Sequence, residues 1–184
     1  MKKESTVKYV LRLTVTLLLI TAFVAAALAG VNAITKDKIA ATQQEKKNNA
    51  MKQVLPGYES FTEVAFTGDE TVKAVYQPEG SDTAYVVEVA PATGFGGEIS
   101  MMVGIDGGKV TGVSIVSHAE TAGLGAVAAE NSEKGNQFRS GFIGAEGSVQ
   151  VDKDGGTIDS ITGATITSRA VADGVNAALA VKLG

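Results

Sequence analysis

Residues 13–30, from Leu13 to Gly30, carry no charged side chain. The apolar stretch around them runs from Val10 to Ile34, broken only by Arg12 and a few small polar residues. A run of about 18 or more apolar residues is long enough to cross the hydrocarbon core of a bilayer as a helix. A cleaved signal peptide is the competing reading. Its basic start is present, and Ala27-Leu28-Ala29 or Val31-Asn32-Ala33 would pass as a cleavage site. The apolar run, however, exceeds the about 7–15 residues of an ordinary signal core, so the expectation is an uncleaved transmembrane helix over residues 10–34. Lys2, Lys3, Lys8 and Arg12 flank one end, and Lys36, Lys38, Lys46 and Lys47 follow the other. Charge counting alone therefore does not orient the span. Long domains translocate largely regardless of charge and the N-terminal tail is short and basic. The expectation is a cytoplasmic tail, residues 1–9, with everything after the span outside.

Residues 35–55 are polar and rich in helix formers, with Ile39, Gln43, Ala50 and Val54 spread along them, and read as a solvated helical linker. Pro56-Gly57 ends it, and the globular domain is expected over 56–184. Short β-type runs follow at 61–66, 72–76 and 84–90. The last alternates poorly but is rich in Val and Tyr. Runs at 98–105 and 109–117 flank Asp106-Gly107-Gly108, a tight-hairpin signal. Runs at 149–151 and 157–161 flank Asp154-Gly155-Gly156, a second one. Residues 126–138 suggest a helix weakened by Gly135, and 170–183 suggest another from the spacing of Val171, Val175, Ala178, Leu179 and Lys182. Hairpins dominate and no βαβ alternation occurs. The expected fold class is α+β, a mainly antiparallel sheet with flanking helices.

The 184 residues include no Cys and a single His, His118, and the net charge is −4. Disulfides, Cys-ligated metals, iron–sulfur clusters and multi-histidine haem or metal sites are thereby excluded on this chain. An acidic balance gives no electrostatic support to nucleic-acid binding. If the chain handles electrons, an organic cofactor must supply the chemistry.

Five hydroxyl side chains gather in Asp159-Ser160-Ile161-Thr162-Gly163-Ala164-Thr165-Ile166-Thr167-Ser168, immediately before the expected C-terminal helix. Such residues ordinarily cap a helix. The same helix start suits a phosphate, and Gly163 and Ala164 leave room for something large beside a reactive Thr hydroxyl. Gly94-Phe95-Gly96-Gly97 reads as a bend allowing close backbone approach. His118-Ala119-Glu120-Thr121-Ala122-Gly123-Leu124-Gly125 follows a strand. One reading makes it a loop with a His–Glu pair facing water. The other makes Glu120 and Thr121 hydrogen-bonding groups for a ligand, Gly123 and Gly125 open backbone, and Leu124 an apolar contact.

Thr162-Gly163-Ala164-Thr165-Ile166-Thr167 resembles the flavinylation motif [ST]-G-A-T-x-[ST] of the FMN-binding domain family. The 118–125 stretch is similar to that family's H-x-E-T-P-G-L-G element, departing at Ala122 where Pro is common. A glycine–aromatic–glycine–glycine element, here 94–97, also recurs there. These elements lie in the family's order over about residues 85–175, and the span completes the match. Within the family the pattern looks most like the G subunits of the Rnf complex, an ion-translocating ferredoxin:NAD oxidoreductase. The C subunits of the sodium-translocating NADH:quinone reductase share the motif and are the alternative, and a membrane-tethered module with no redox role is a further one. The resemblance implies FMN esterified through its phosphate to Thr165. It implies a cofactor site of Thr162, Gly163, Ala164, Thr167, Glu120, Thr121, Leu124 and Gly125 around that residue. It also implies other membrane subunits as partners, a flavin transferase for maturation, and a role as electron relay rather than as a complete enzyme.

Overall fold

The structure is a computed structural model that describes residues 6–183. The chain divides between Glu45 and Lys46 into two compact units. Up to Glu45 it is a single helix, the greater part of α1 (Thr6–Val54). Residues 1–5 of the expected tail lie outside the described residues, and the rest of the tail is already helical. The apolar stretch has a mean hydropathy of 2.3 and none of it is buried against protein. Its Thr16 and Thr21 hydroxyls donate to the carbonyls of Arg12 and Leu17, 2.8 and 3.0 Å away. They therefore need no outside partner, a condition for polar groups at membrane depth.

The second unit, from Lys46 on, is built on an antiparallel sheet in the order β1 (Phe61–Val64), β3 (Val72–Pro78), β4 (Ala84–Val89), β5 (Ser100–Asp106), β6 (Lys109–Ser117). Short strands β2 (Phe66–Thr67) and β7 (Lys182–Leu183) pair separately. Asp106 and Lys109 face each other across Gly107 and Gly108, both at positive φ, 56° and 78°. That is the two-residue hairpin expected of the Asp-Gly-Gly signal.

Both faces of the sheet are covered. On one, Val75, Val87, Val89, Met101 and Val103 pack with Val171, Val175 and Ala178 of α3 (Thr165–Leu179). On the other, Ala84, Val86 and Met102 meet Ala50, Met51, Val54 and Leu55, from the last turns of α1 and the residue after them. Strands buried on both sides need no polar alternation, which accounts for the poor alternation of β4, AYVVEV, where Glu88 is the one charged residue. The end of α1 sits in a groove made by the paired Gly104 and Gly112. A methyl at Gly104 would overlap the Val54 carbonyl, and one at Gly112 would lie 3.0 Å from Val54 Cα. The Thr111 hydroxyl donates to that carbonyl at 2.6 Å. Beside it the buried Glu88 pairs with Lys47 at 2.6 Å and accepts from the Tyr76 hydroxyl at 3.3 Å. Burial first, then the charges of Glu88 and Glu63, pushes the Tyr76 phenol up to about 12. It therefore remains a donor.

Three local expectations change. The helix expected at 126–138 is a 3-10 turn, Gly125–Ala128, and a separate α2 (Glu133–Ser140) capped by Ser132, whose hydroxyl accepts from Gly135 N–H at 3.2 Å. Gly135 brings α2 against the preceding turn, since a methyl there would overlap the Val127 and Glu130 carbonyls. Asp154-Gly155-Gly156 closes no hairpin: Asp152–Asp154 is a 3-10 turn, and Val151 and Ile158 form a parallel bridge. The side chains of the turn are committed elsewhere. Asp152 accepts from Ser160 N–H at 3.0 Å, and Asp154 binds Arg169 of α3 through two bonds of 2.7 and 2.6 Å. The C-terminal helix, expected at 170–183, begins earlier, at Thr165, and ends at Leu179.

Candidate cofactor-binding site

The start of α3 is where the hydroxyl-rich stretch lies, and no side chain caps it. Ala164 occupies the cap position without a side-chain bond. The first N–H groups of a helix have no intrahelical acceptor, so those at this end remain available and carry the positive pole of the helix. Ser168 looks inward instead: its hydroxyl accepts from Ile161 N–H and donates to the Ala164 carbonyl, both at 3.0 Å. This ties down the turn from Ile161 to Ala164, closed by Ala164 N–H to Ile161 C=O at 2.9 Å. Its third position, Gly163, has φ +79°, a conformation glycine adopts at no steric cost. The Thr165 hydroxyl, at the first helical residue, engages no partner among the described residues and faces a cleft.

That cleft, about 340 Å³, is lined by Phe95, Glu120, Thr121, Leu124, Gly125 and the run Gly163, Ala164, Thr165, Ile166, Thr167. Three segments distant in sequence thus meet around Thr165. The 94–97 segment makes a tight turn, Gly97 N–H to Gly94 C=O at 3.2 Å, with Phe95 at its tip and 68% exposed. The 121–124 segment makes another, Leu124 N–H to Thr121 C=O at 3.2 Å, with Gly123 at φ +74°. Leu124 reaches the Gly163 turn, its Cδ2 lying 3.2 Å from where a Cβ at Gly163 would be.

Glu120 is buried between these segments, and its His neighbour is not a water-facing ion-pair partner: His118 Nδ1 accepts from Glu120 N–H at 3.2 Å. Of the residues expected at the site, Thr165, Gly163, Ala164, Thr167, Glu120, Thr121, Leu124 and Gly125 share the cleft. Thr162 does not. It lines a neighbouring cleft of about 250 Å³ with Gly123, Lys134, Gln137, Asp159 and Ser160. Sequence reasoning gave Phe95 no role and passed over Ile166. The signal in the sequence was an apolar residue inside a glycine- or threonine-rich motif; the structure leaves both side chains exposed. Together Phe95, Leu124 and Ile166 give the cleft apolar walls beside a helix start that attracts anions.

Comparison with known proteins is consistent with this geometry. Residues 94–180 match the FMN-binding domain, and residues 1–54 match the RnfG N-terminal region. The chain is 31% identical to the G subunit of the Na(+)-translocating ferredoxin:NAD(+) oxidoreductase complex of Acetobacterium woodii, covering 95% of this chain and 92% of that one. It is 33% identical to the G subunit of the ion-translocating oxidoreductase complex of Methanosarcina acetivorans, covering 94% of each. It is 37% identical to the G subunit of the proton-translocating ferredoxin:NAD(+) oxidoreductase complex of Clostridium ljungdahlii, covering 88% and 86%. With a span-length apolar helix ahead of an FMN-binding domain, and similarity running through both, the chain belongs to the G-subunit family of ion-translocating oxidoreductase (Rnf) complexes.

Proposed function

We propose that this chain is an electron-transfer subunit of a membrane-bound, ion-translocating ferredoxin:NAD oxidoreductase, holding FMN in the Thr165 cleft by a phosphodiester to the Thr165 hydroxyl. The observation that carries the reading is the uncapped start of α3 with an unengaged hydroxyl at its first residue. The residues present fit the group. The free N–H groups and the helix dipole favour a phosphate. Phe95, Leu124 and Ile166 offer apolar surface to a flat ring. Thr121 adds a hydroxyl. When bound, FMN supplies the redox chemistry that a chain without Cys and with one His lacks. The protein's part is to hold that ring in one place and leave its mouth open to donor and acceptor.

In this reading the chain relays electrons and is not catalytic alone. Its partners are the other membrane subunits of the complex, and a flavin transferase installs the cofactor. The domain lies on the extracytoplasmic side, where a covalent tether prevents loss of FMN. Ester formation removes one water overall, so the intact mass is expected to exceed that of the sequence by one FMN less one water. Thr165→Ala is expected to abolish the increment, and in-gel flavin fluorescence after denaturation is expected to vanish with it. A wild-type chain that stays unmodified when produced with a competent flavin transferase would overturn the attachment and favour a tethered module without redox function.

A further inference from the structure

Glu120 is buried to 9% exposure and Thr167 to 1%, and their side chains meet. The Thr167 hydroxyl donates to Glu120 Oε2 at 2.5 Å, and Gly96 N–H donates to Glu120 Oε1 at 2.9 Å. Both oxygens of the carboxyl are therefore occupied by protein, one by each of the two segments that face the 118–125 loop. The surrounding glycines are shaped to this arrangement. A methyl at Gly94 would lie 2.7 Å from Glu120 Oε1, and one at Gly125 would overlap both Oε2 and the Thr167 hydroxyl. Thr167 stands two positions after Thr165, so it lies buried at the inner wall of the cleft, its hydroxyl committed to Glu120, while Thr165 is only half-buried and its hydroxyl is unengaged.

We propose that Glu120 and Thr167 form a positioning pair rather than a pair of ligand contacts. The carboxyl bolts the first turn of α3 to the Gly94–Gly97 turn, and so presents the Thr165 hydroxyl and the uncapped N–H groups in one orientation. The hydroxyl two residues past the attachment threonine is, on this account, a strut. The inference rests on the Thr165 reading.

The test uses the full-length chain produced with a flavin transferase, reading covalent flavin occupancy by intact mass and the visible flavin spectrum of the loaded fraction. Thr167→Val, which keeps the shape and removes the donor, is expected to lower occupancy several-fold without abolishing it. Thr167→Ser, which keeps the donor, is expected to restore it. Glu120→Met, which keeps the length of the side chain and removes both acceptors, is expected to lower it at least as far as Thr167→Val; Glu120→Gln is less decisive, because its amide can donate to the Thr167 hydroxyl. The double variant is expected to be no worse than Glu120→Met alone, because Thr167 acts only through that carboxyl. Full occupancy and an unchanged spectrum in both Thr167→Val and Glu120→Met would overturn the strut while leaving Thr165 as the carrier. So would a Ser variant that falls as far as Val, or losses that multiply in the double variant. A wild-type chain without flavin would instead overturn the underlying attachment. Thermal unfolding of the flavin-free chains separates misfolding from misplacement; if Thr167→Val unfolds, Glu120→Met and Thr167→Ser carry the decision.

Discussion

At Gly96 a methyl group would overlap the carbonyl oxygen of Ala119 and lie 3.0 Å from Glu120 N. Neither atom belongs to a flexible side chain, so accommodation requires the 94–97 turn and the 118–125 loop to part. Gly96→Ala is therefore expected to destabilise the domain by about 1–3 kcal/mol, the usual range for overpacking, seen as a lower urea midpoint at unchanged slope. It is expected to lower flavin occupancy as well, because the displaced N–H is the one that holds Glu120. At this scale the sequence was informative where a residue's chemistry is rare in its setting. The resemblance of Thr162–Thr167 to a flavinylation motif singled out Thr165, a residue that lines the cleft. The sequence was uninformative where the environment comes from elsewhere. A carboxyl beside His118 in a glycine-rich loop looks solvated, and only the convergence of three distant segments buries it.

The elements around α3 are joined by side chains rather than by regular strand pairing. Hydrogen bonds from Ser160, from its hydroxyl and then its N–H, hold the Asp152 carboxyl at about 2, below its ordinary 3.8, with Lys153 assisting. Arg169 lowers Asp154 in the same direction. A depressed folded-state value means stability that is present above the unfolded value and is lost as pH falls towards the folded one. Unfolding free energy, measured by urea titration, is accordingly expected to decline from about pH 4 to pH 2. Asp152→Asn is expected to flatten that limb, and an unchanged slope would show that the bond to Ser160 does not survive in solution. The same commitments explain why the Asp154-Gly155-Gly156 signal misleads: its side chains are spent on α3 and on the loop before it. Hairpins whose information is local, such as 106–109, were legible. The extra first turn of α3 was not, because β-branched Thr165, Ile166 and Thr167 carry weak helix propensity and are held helical by the Ser168 and Thr167 bonds.

For the whole molecule, the apolar run at 13–30 could be read from its uncharged length, and the antiparallel sheet from the turn signals between successive β-type runs. Sidedness could not, because lysines flank both ends of the run. A cysteine replacing Asp82, exposed in the turn between β3 and β4, addresses it in a chain with no native Cys. Ser81 is the poorer choice, as its hydroxyl accepts from Thr83 and Ala84 N–H. In sealed cells the Cys is expected to react with a membrane-impermeant thiol reagent; labelling only after lysis would put the domain inside. The glycine groove that seats the end of α1 has a practical corollary for anyone preparing the domain without its span. A gene cut to begin at Pro56 would strip Ala50, Met51, Val54 and Leu55 from the sheet and leave Ala84, Val86 and Met102 as a bare oily wall. Cut at Lys46, the same domain leaves with its own lid.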